Sequence, residues 1–309
     1  MGISRNILLW ASRNEWLKNR VPRMKFVRRA VKRFMPGDTV DDAILAAKEL
    51  IKYKIPTTFT HLGENITTLE EAETNTQHYL ELLHRINKEN LDIEISLKLT
   101  HIGFDISFDK TTELFSGIVK KANYLNNNVF IDIEDSSYVD KTINFYKKIK
   151  EKYDNAGLCL QAYLYRTMDD IKSLVDINPR IRLVKGAYKE PESVAFKKLV
   201  QVNANFLKIS QYLLCLIKEK NIRVAFATHD LNLQEQVKNE AEKINLDKKI
   251  LEFQMLYRIK TADQIKLASD GYKIRTLISY GEFWYPWYMR RLAERPANIG
   301  FVLKNIFNK

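Results

Sequence analysis

From about residue 55 onward the chain alternates between short runs rich in β-branched and aromatic residues and longer polar stretches with helical spacing. The β-like runs read TTFTHLGE, IEISLKLT, NVFIDIED, GLCLQAYLYR, IRLVKGAY, IRVAFATHD, LEFQMLY and YKIRTLISY. A helix-compatible stretch follows each of them, and the segment 194–221 is long enough to predict two helices. The last unit, GEFWYPWYMRRLAER, reads as a helix with Pro286 tolerated in its first turn and Pro296 marking its end. Within it Trp284, Tyr288 and Leu292 recur at four-residue spacing and form an apolar stripe.

Eight βα units in unbroken series are the pattern of a (β/α)8 TIM-like barrel, expected over 55–309 behind a basic helical N-terminal extension, 1–54. A doubly wound open sheet would carry a glycine-rich phosphate turn after its first strand, and no G-x-G occurs anywhere in the chain. With 309 residues, 45% of them hydrophobic, and only 10 glycines and 7 prolines, the composition favours one compact domain over a string of modules. No apolar run approaches 18 residues, so no membrane span is expected, and the start MGISRNILLWASRN lacks a signal-peptide core. Cys159 and Cys215 lie inside apolar runs and read as buried thiols in a reducing cytoplasm.

The net charge of +12 is concentrated at the start. Residues 1–33 hold ten Lys and Arg against the single acid Glu15, interleaved with Leu8, Trp10, Trp16, Leu17 and Phe26. Such a segment either lies on an anionic bilayer surface or forms a solvated arm. Nucleic acid is the weaker partner, since no nucleic-acid-binding motif accompanies the charge.

A barrel of this kind builds its active site at the carboxyl ends of its strands. The polar residues there are Glu64, Lys98, Asp132 with Glu134, Gln161 with Arg166, Arg182 with Lys185, Thr228 with His229, and Gln254. Lys98 either snorkels from its strand end or is buried, in which case it needs an acid, and Asp132 is a plausible partner. Arg182 reads as an ion-pair cation, and His229 as a ligand, base, hydrogen-bond donor or structural residue. The five histidines are scattered and no HExxH or CxxC spacing occurs, so no metal site is expected. In WYMRRLAER, Arg290 and Arg291 are surface charge or a planar fork for a carboxylate, with Glu294 within one helical turn of both. From the residues alone the picture is a barrel with a cationic, aromatic mouth suited to an anionic small molecule.

In the order HLGE, SLKLT, IDIED, LQAYLYRT, RLVKGAY, FATHD, EFQMLY and YG-x-x-WYP-x-x-x-RRLAERP, the chain resembles the flavin-dependent proline dehydrogenase family, in its bacterial monofunctional form. That resemblance implies a distorted (β/α)8 barrel that binds FAD without a Rossmann turn. It implies hydride transfer from C5 of proline to flavin N5, giving Δ1-pyrroline-5-carboxylate, with electrons passed to a membrane quinone. Arg290 and Arg291 then bind the carboxylate of the imino acid, and Glu64 pairs with one of them as a gate. Lys98 and Asp132 line the substrate pocket, with Tyr188, Leu256 and Leu277 as its walls. Arg182 matches the arginine near flavin N5, and Gln161, Lys185, Gly186, Thr228, His229 and Glu294 match cofactor contacts. A cytoplasmic enzyme, peripheral on the inner face of the cell membrane through residues 1–33, fits this picture.

Four positions depart from the family pattern. Leu277 stands where a tyrosine is usual, Thr60 replaces the acid of a D-HLGE run, and Arg258 follows FQMLY where glycine is common. Ser279 also replaces a proline. Exchanging a phenol for an isobutyl group removes a hydrogen bond and reshapes the space above the substrate ring. The alternative substrate is therefore another cyclic imino acid, such as 4-hydroxyproline or pipecolate. A third reading is a flavin- or carboxylate-binding barrel without turnover.

Overall fold

In the computed structural model eight parallel strands pair in sequence order, and the eighth closes the sheet by pairing with the first. The described residues are 34–63 and 66–294, together with Leu8, Trp10, Ala11, 14–21, Met24, Val27 and Val31. The strands are β1 (Thr57–His61), β2 (Ile93–Lys98), β3 (Val129–Asp132), β4 (Ala156–Gln161), β5 (Ile181–Val184), β6 (Val224–Ala227), β7 (Glu252–Leu256) and β8 (Lys273–Tyr280). Their near-continuous burial is what a parallel sheet covered by helices requires.

Helix α1 (Glu15–Arg20) and helix α2 (Val40–Ile51) precede the first strand. Helices α3 (Leu69–Lys88), α4 (Phe108–Tyr124), α5 (Val139–Lys150) and α6 (Thr167–Lys172) follow β1 to β4 in turn. Next come α7 (Leu199–Lys220), α8 (Leu231–Lys243), α9 (Thr261–Ser269) and α10 (Trp284–Glu294). Sequence-encoded start signals set several of these boundaries. Thr39 with Asp42 and Thr68 with Glu71 form capping boxes that satisfy the first amides of α2 and α3. The segment 194–221 forms one long helix, α7, rather than the two expected, because nothing between Leu199 and Lys220 interrupts it. On α7 the residues Leu213, Leu214, Leu216 and Ile217 face the core, which turns Cys215 outward; it is exposed, not buried as its apolar run suggested, whereas Cys159 is buried.

Two apolar clusters hold the molecule together. The larger lies between the barrel and its helices and includes Ala43, Ile44, Ala47 and Leu50 of α2. In the smaller, Val27, Val31 and Met35 pack with Leu62 against Trp284, Tyr285, Trp287, Tyr288 and Leu292 of α10. The N-terminal segment is thus seated on the last described helix. The hydroxyl of Tyr285 donates to the carbonyl of Ala11 at 3.3 Å, and the rings of Phe34 and Tyr288 lie 5.7 Å apart.

The lumen departs from the aliphatic filling usual in this fold. Near the amino ends of the strands, Arg223 joins Glu252 (Nε to Oε2, 2.8 Å) and Glu94 (Nη2 to Oε2, 3.1 Å). Arg275 adds bonds to the carbonyl of Thr57 at 2.7 Å and to Asp92 at 3.0 Å. Burial alone would raise the pKa of Glu252, but the charge of Arg223, then that of Arg275, holds it below the usual carboxylate range. Breaking such a pair leaves an uncompensated buried charge. Glu252→Ala is expected to cost about 3 kcal/mol of stability, read as a lower urea midpoint at an unchanged m-value; an unchanged midpoint would show that the network contributes nothing.

Candidate functional site

Six strands, β1, β2, β3, β5, β6 and β7, bury every residue but their last, which is half-buried. The lumen therefore opens at the carboxyl ends. Lys98 and Asp132 are register partners at that rim, ending β2 and β3. One residue layer deeper, Arg182 of β5 crosses the lumen to strands that it does not pair with. Its Nη1 donates to Ser96 Oγ and to Asp132 Oδ1, both at 2.9 Å, while the Ser96 hydroxyl donates to the same carboxylate oxygen at 2.7 Å. The guanidinium carbon sits 4.5 Å from the centroid of the Phe130 ring, a cation–π contact. Gly157 on the neighbouring strand makes room for that ring, since a Cβ there would come within 2.5 Å of it.

Arg182 is only 2% exposed, yet its Nε and Nη2 have no hydrogen-bond partner. Leaving buried donors unmet costs about 1–3 kcal/mol each. Two glutamines add the opposite deficit. Gln161 donates its amide nitrogen to the carbonyl of Glu134 and Gln254 to Glu252, leaving both Oε1 atoms buried without partners. Unmet donors on Arg182 and unmet acceptors on Gln161 and Gln254 suit an extended ring system that carries both kinds of group.

Beyond the rim, Lys185 Nζ meets Asp230 Oδ2 at 2.8 Å, and Asp230 caps α8 through Leu233. Burial raises the Asp230 pKa, but the Lys185 ammonium outweighs it and the carboxyl ends below its ordinary value. Thr228 Oγ1 accepts from the Asp230 amide at 3.1 Å. His229 is an acceptor rather than a donor at Nε2: the Leu256 amide donates to it at 2.9 Å, so any ring proton sits on Nδ1. Gly186 has φ +110°, and a Cβ there would fall 2.2 Å from the Tyr163 ring. The Tyr163 hydroxyl donates to Glu190, which also accepts from the Ser136 amide at 2.8 Å, pinning the loop that carries Tyr188. Across from it, the Arg290 guanidinium carbon lies 5.5 Å from the Tyr188 ring centroid.

Of the expected site residues, Lys98, Asp132, Gln161 and Arg182 converge on the mouth, and Leu256 and Leu277 are register partners on its β7–β8 wall. Thr60 pairs with Ser279, and Leu277 with Thr58, so the two departures lie two residues apart in register on adjoining strands. Arg258 is exposed, stacked 5.2 Å from Tyr257, and holds a left-handed φ of 56°, a conformation that glycine adopts more easily. Arg166 stands apart, bonded to Asp140 and Asp170. Glu64 lies outside the described residues, and of Arg291 and Glu294 only the backbone is described. Among the described residues no cluster of acids, cysteines and histidines suits a metal ion. Sequence reasoning missed Ser96, Phe130, Tyr163 and Glu190. The first two sit two residues before Lys98 and Asp132, hence on the same strand face, a signal that was available.

The Pro_dh family model, proline dehydrogenase, matches residues 43–304. The chain belongs to the proline dehydrogenase family. It is 36% identical to proline dehydrogenase 1 of Bacillus subtilis subsp. natto over 305 residues, covering 99% of both chains. It is 31% identical to the proline dehydrogenase of Deinococcus radiodurans, covering 89% of each. Among solved structures, the proline utilization A protein of Bdellovibrio bacteriovorus inactivated by N-propargylglycine superposes with a TM-score of 0.82 at 23% identity. That match covers 98% of this chain but 40% of the longer protein, and it speaks for the fold. As a member of this family the chain is an oxidoreductase.

His61, the last residue of β1, lies in a cluster of histidines. His61 lies 4.3 Å from His78, 5.3 Å from His101 and 5.2 Å from Tyr280, centroid to centroid, and His78 Nε2 shares a 2.7 Å hydrogen bond with the Tyr280 hydroxyl. Burial, reinforced by His78, pushes the His61 pKa down to about 4. A lowered histidine pKa means that the unfolded chain binds the extra proton first, so this stability is complete above about pH 6.5 and is lost as pH falls toward 4. Between pH 7.5 and pH 5 the urea midpoint should report a loss of about 2 kcal/mol, less in His61→Phe. Equal acid sensitivity in both proteins would acquit His61.

Proposed function

We propose that the chain oxidises L-proline to Δ1-pyrroline-5-carboxylate with FAD as its cofactor and passes the electrons to a quinone. The observation that carries this reading is the buried Arg182, whose Nε and Nη2 lack protein acceptors at the mouth of a proline dehydrogenase barrel. Bound FAD supplies the acceptor for the hydrogen and electron pair that leave C5 of the ring.

The chain's own residues supply position and field. Arg182, Gln161 and Gln254 offer the hydrogen-bonding edge that a flavin ring fits, with Lys185, Gly186, Thr228, His229 and Glu294 toward the rest of the cofactor. A fixed cation beside the redox centre favours its electron-rich form. Arg290 and Arg291 hold the substrate carboxylate as a bidentate fork, and Glu64 closes over them. Tyr188, Leu256 and Leu277 form the apolar walls, while Lys98 and Asp132 set the polar rim. Holding the ring in one orientation is the larger part of what the protein contributes.

Ser279 Oγ and Thr58 Oγ1, both buried without partners beside Leu277, favour a second reading in which a hydroxylated ring such as 4-hydroxyproline competes with proline. Membrane contact has its own support: Trp10 and Trp16 are each 61% exposed and Met24 is 40% exposed, within the ten-cation segment 1–33. No helix among the described residues is long and apolar enough to cross a membrane.

Anaerobic addition of proline should bleach a yellow protein, and Arg290→Met should lower kcat/KM by about 100-fold, chiefly through KM. A colourless protein that refuses FAD, or an Arg290→Met enzyme with normal KM, would overturn the assignment. Bleaching by 4-hydroxyproline ahead of proline would select the second reading. For the membrane contact, Trp10→Ser with Trp16→Ser should weaken binding to anionic phosphatidylglycerol vesicles while leaving turnover with a soluble dye intact; vesicle binding equal to that of the parent protein would discard it.

A further inference from the structure

Arg182 cannot aim itself. A guanidinium on a three-carbon stem has several rotamers, and one ion pair to Asp132 fixes a distance rather than a plane. Two other groups complete the constraint. Ser96 Oγ accepts from Nη1 at 2.9 Å and donates to Asp132 Oδ1 at 2.7 Å, locking cation and carboxylate into a triangle. The Phe130 ring, 4.5 Å from the guanidinium carbon, blocks motion down the lumen. Phe130 is itself held. It is fully buried, Gly157 leaves just the space its ring fills, and the Arg223 guanidinium carbon stands 5.5 Å from the same ring. Arg223 is in turn tied by Glu94 and Glu252. The series from the ion-pair network through Phe130 to Arg182 spans the lumen, and its last atoms, Nε and Nη2, are the ones without protein partners.

We propose that Ser96 and Phe130 are positioning residues that orient the Arg182 guanidinium toward the flavin, with Arg223 bracing the Phe130 ring. This rests on the flavin reading given above. Neither residue touches substrate or cofactor in this scheme; each acts through Arg182. Removing the Ser96 hydroxyl frees Nη1 and the Asp132 carboxylate to rotate, and shortening Phe130 opens a path for the guanidinium to sink. A cation no longer held beside the flavin stabilises its reduced form less.

The readout is the two-electron midpoint potential of the bound flavin, with proline kinetics alongside. In Ser96→Ala the flavin reduction equilibrium should fall about tenfold, near 30 mV more negative for two electrons. Its kcat should fall while KM for proline changes less than about twofold, because the carboxylate fork is untouched. Ser96→Thr, which keeps the hydroxyl, should restore the potential. Phe130→Leu should shift it in the same direction; if that variant does not fold, the serine pair decides alone. A Ser96→Ala protein that binds FAD with an unchanged potential overturns the positioning role and leaves the flavin reading standing. A parent protein that takes up no FAD overturns both.

Discussion

One buried cation organises this molecule. Arg182 sits inside a parallel barrel at 2% exposure, where an isolated charge is prohibitively costly, and the surrounding residues read as the terms of its accommodation. Asp132 supplies the opposite charge, Ser96 a neutral hydroxyl, and Phe130 an aromatic face. Those three satisfy Nη1 and one face, and leave Nε and Nη2 buried without protein partners. A purely structural ion pair would be expected to use more of its donors. The incomplete satisfaction is what distinguishes a site from a strut.

The same cation explains why the barrel interior is not aliphatic. A polar mouth above an ordinary hydrophobic lumen would let the guanidinium slide or the rim acids collapse inward. Here Glu94, Glu252, Arg223 and Arg275 form an ion-pair network, and the Phe130 ring contacts both Arg223 and Arg182, the latter held by Ser96 and Asp132. On the outer side of the mouth, α10 brings Arg290 toward Tyr188, and α10 is itself seated on Val27, Val31 and Met35. The basic N-terminal segment is therefore two-sided. Its aliphatic residues support α10, while Trp10 and Trp16 are exposed.

Much of this was legible in the residues. β-like runs separated by helical stretches gave the barrel, and their polar ends gave Lys98, Asp132 and Gln161, whereas Arg182 is the second residue of β5 and reaches the others from within the strand. What escaped was everything that depends on contact across the lumen. Ser96 and Phe130 look like ordinary strand residues until Arg182, 86 and 52 positions away, is known to reach them. The role of His229 was likewise closed to sequence, since it depends on which backbone amide faces its ring. Cys215 misled because an apolar run does not say which of its members faces out. The single long α7 follows from the absence of any helix breaker between Leu199 and Lys220.

The pairing of β8 with β1 closes the barrel through residues about 219 apart, such as Thr57 with Thr276. Contacts so remote in sequence carry a large loop-closure entropy and form late. Until the eighth strand is available, a growing chain presents two bare sheet edges, with Phe59 and Ile278 lacking the neighbours that bury them. Ribosome-bound intermediates of this protein are thus the species with most to gain from a holdase, and their hazard ends with the stretch that immediately precedes the arginine helix.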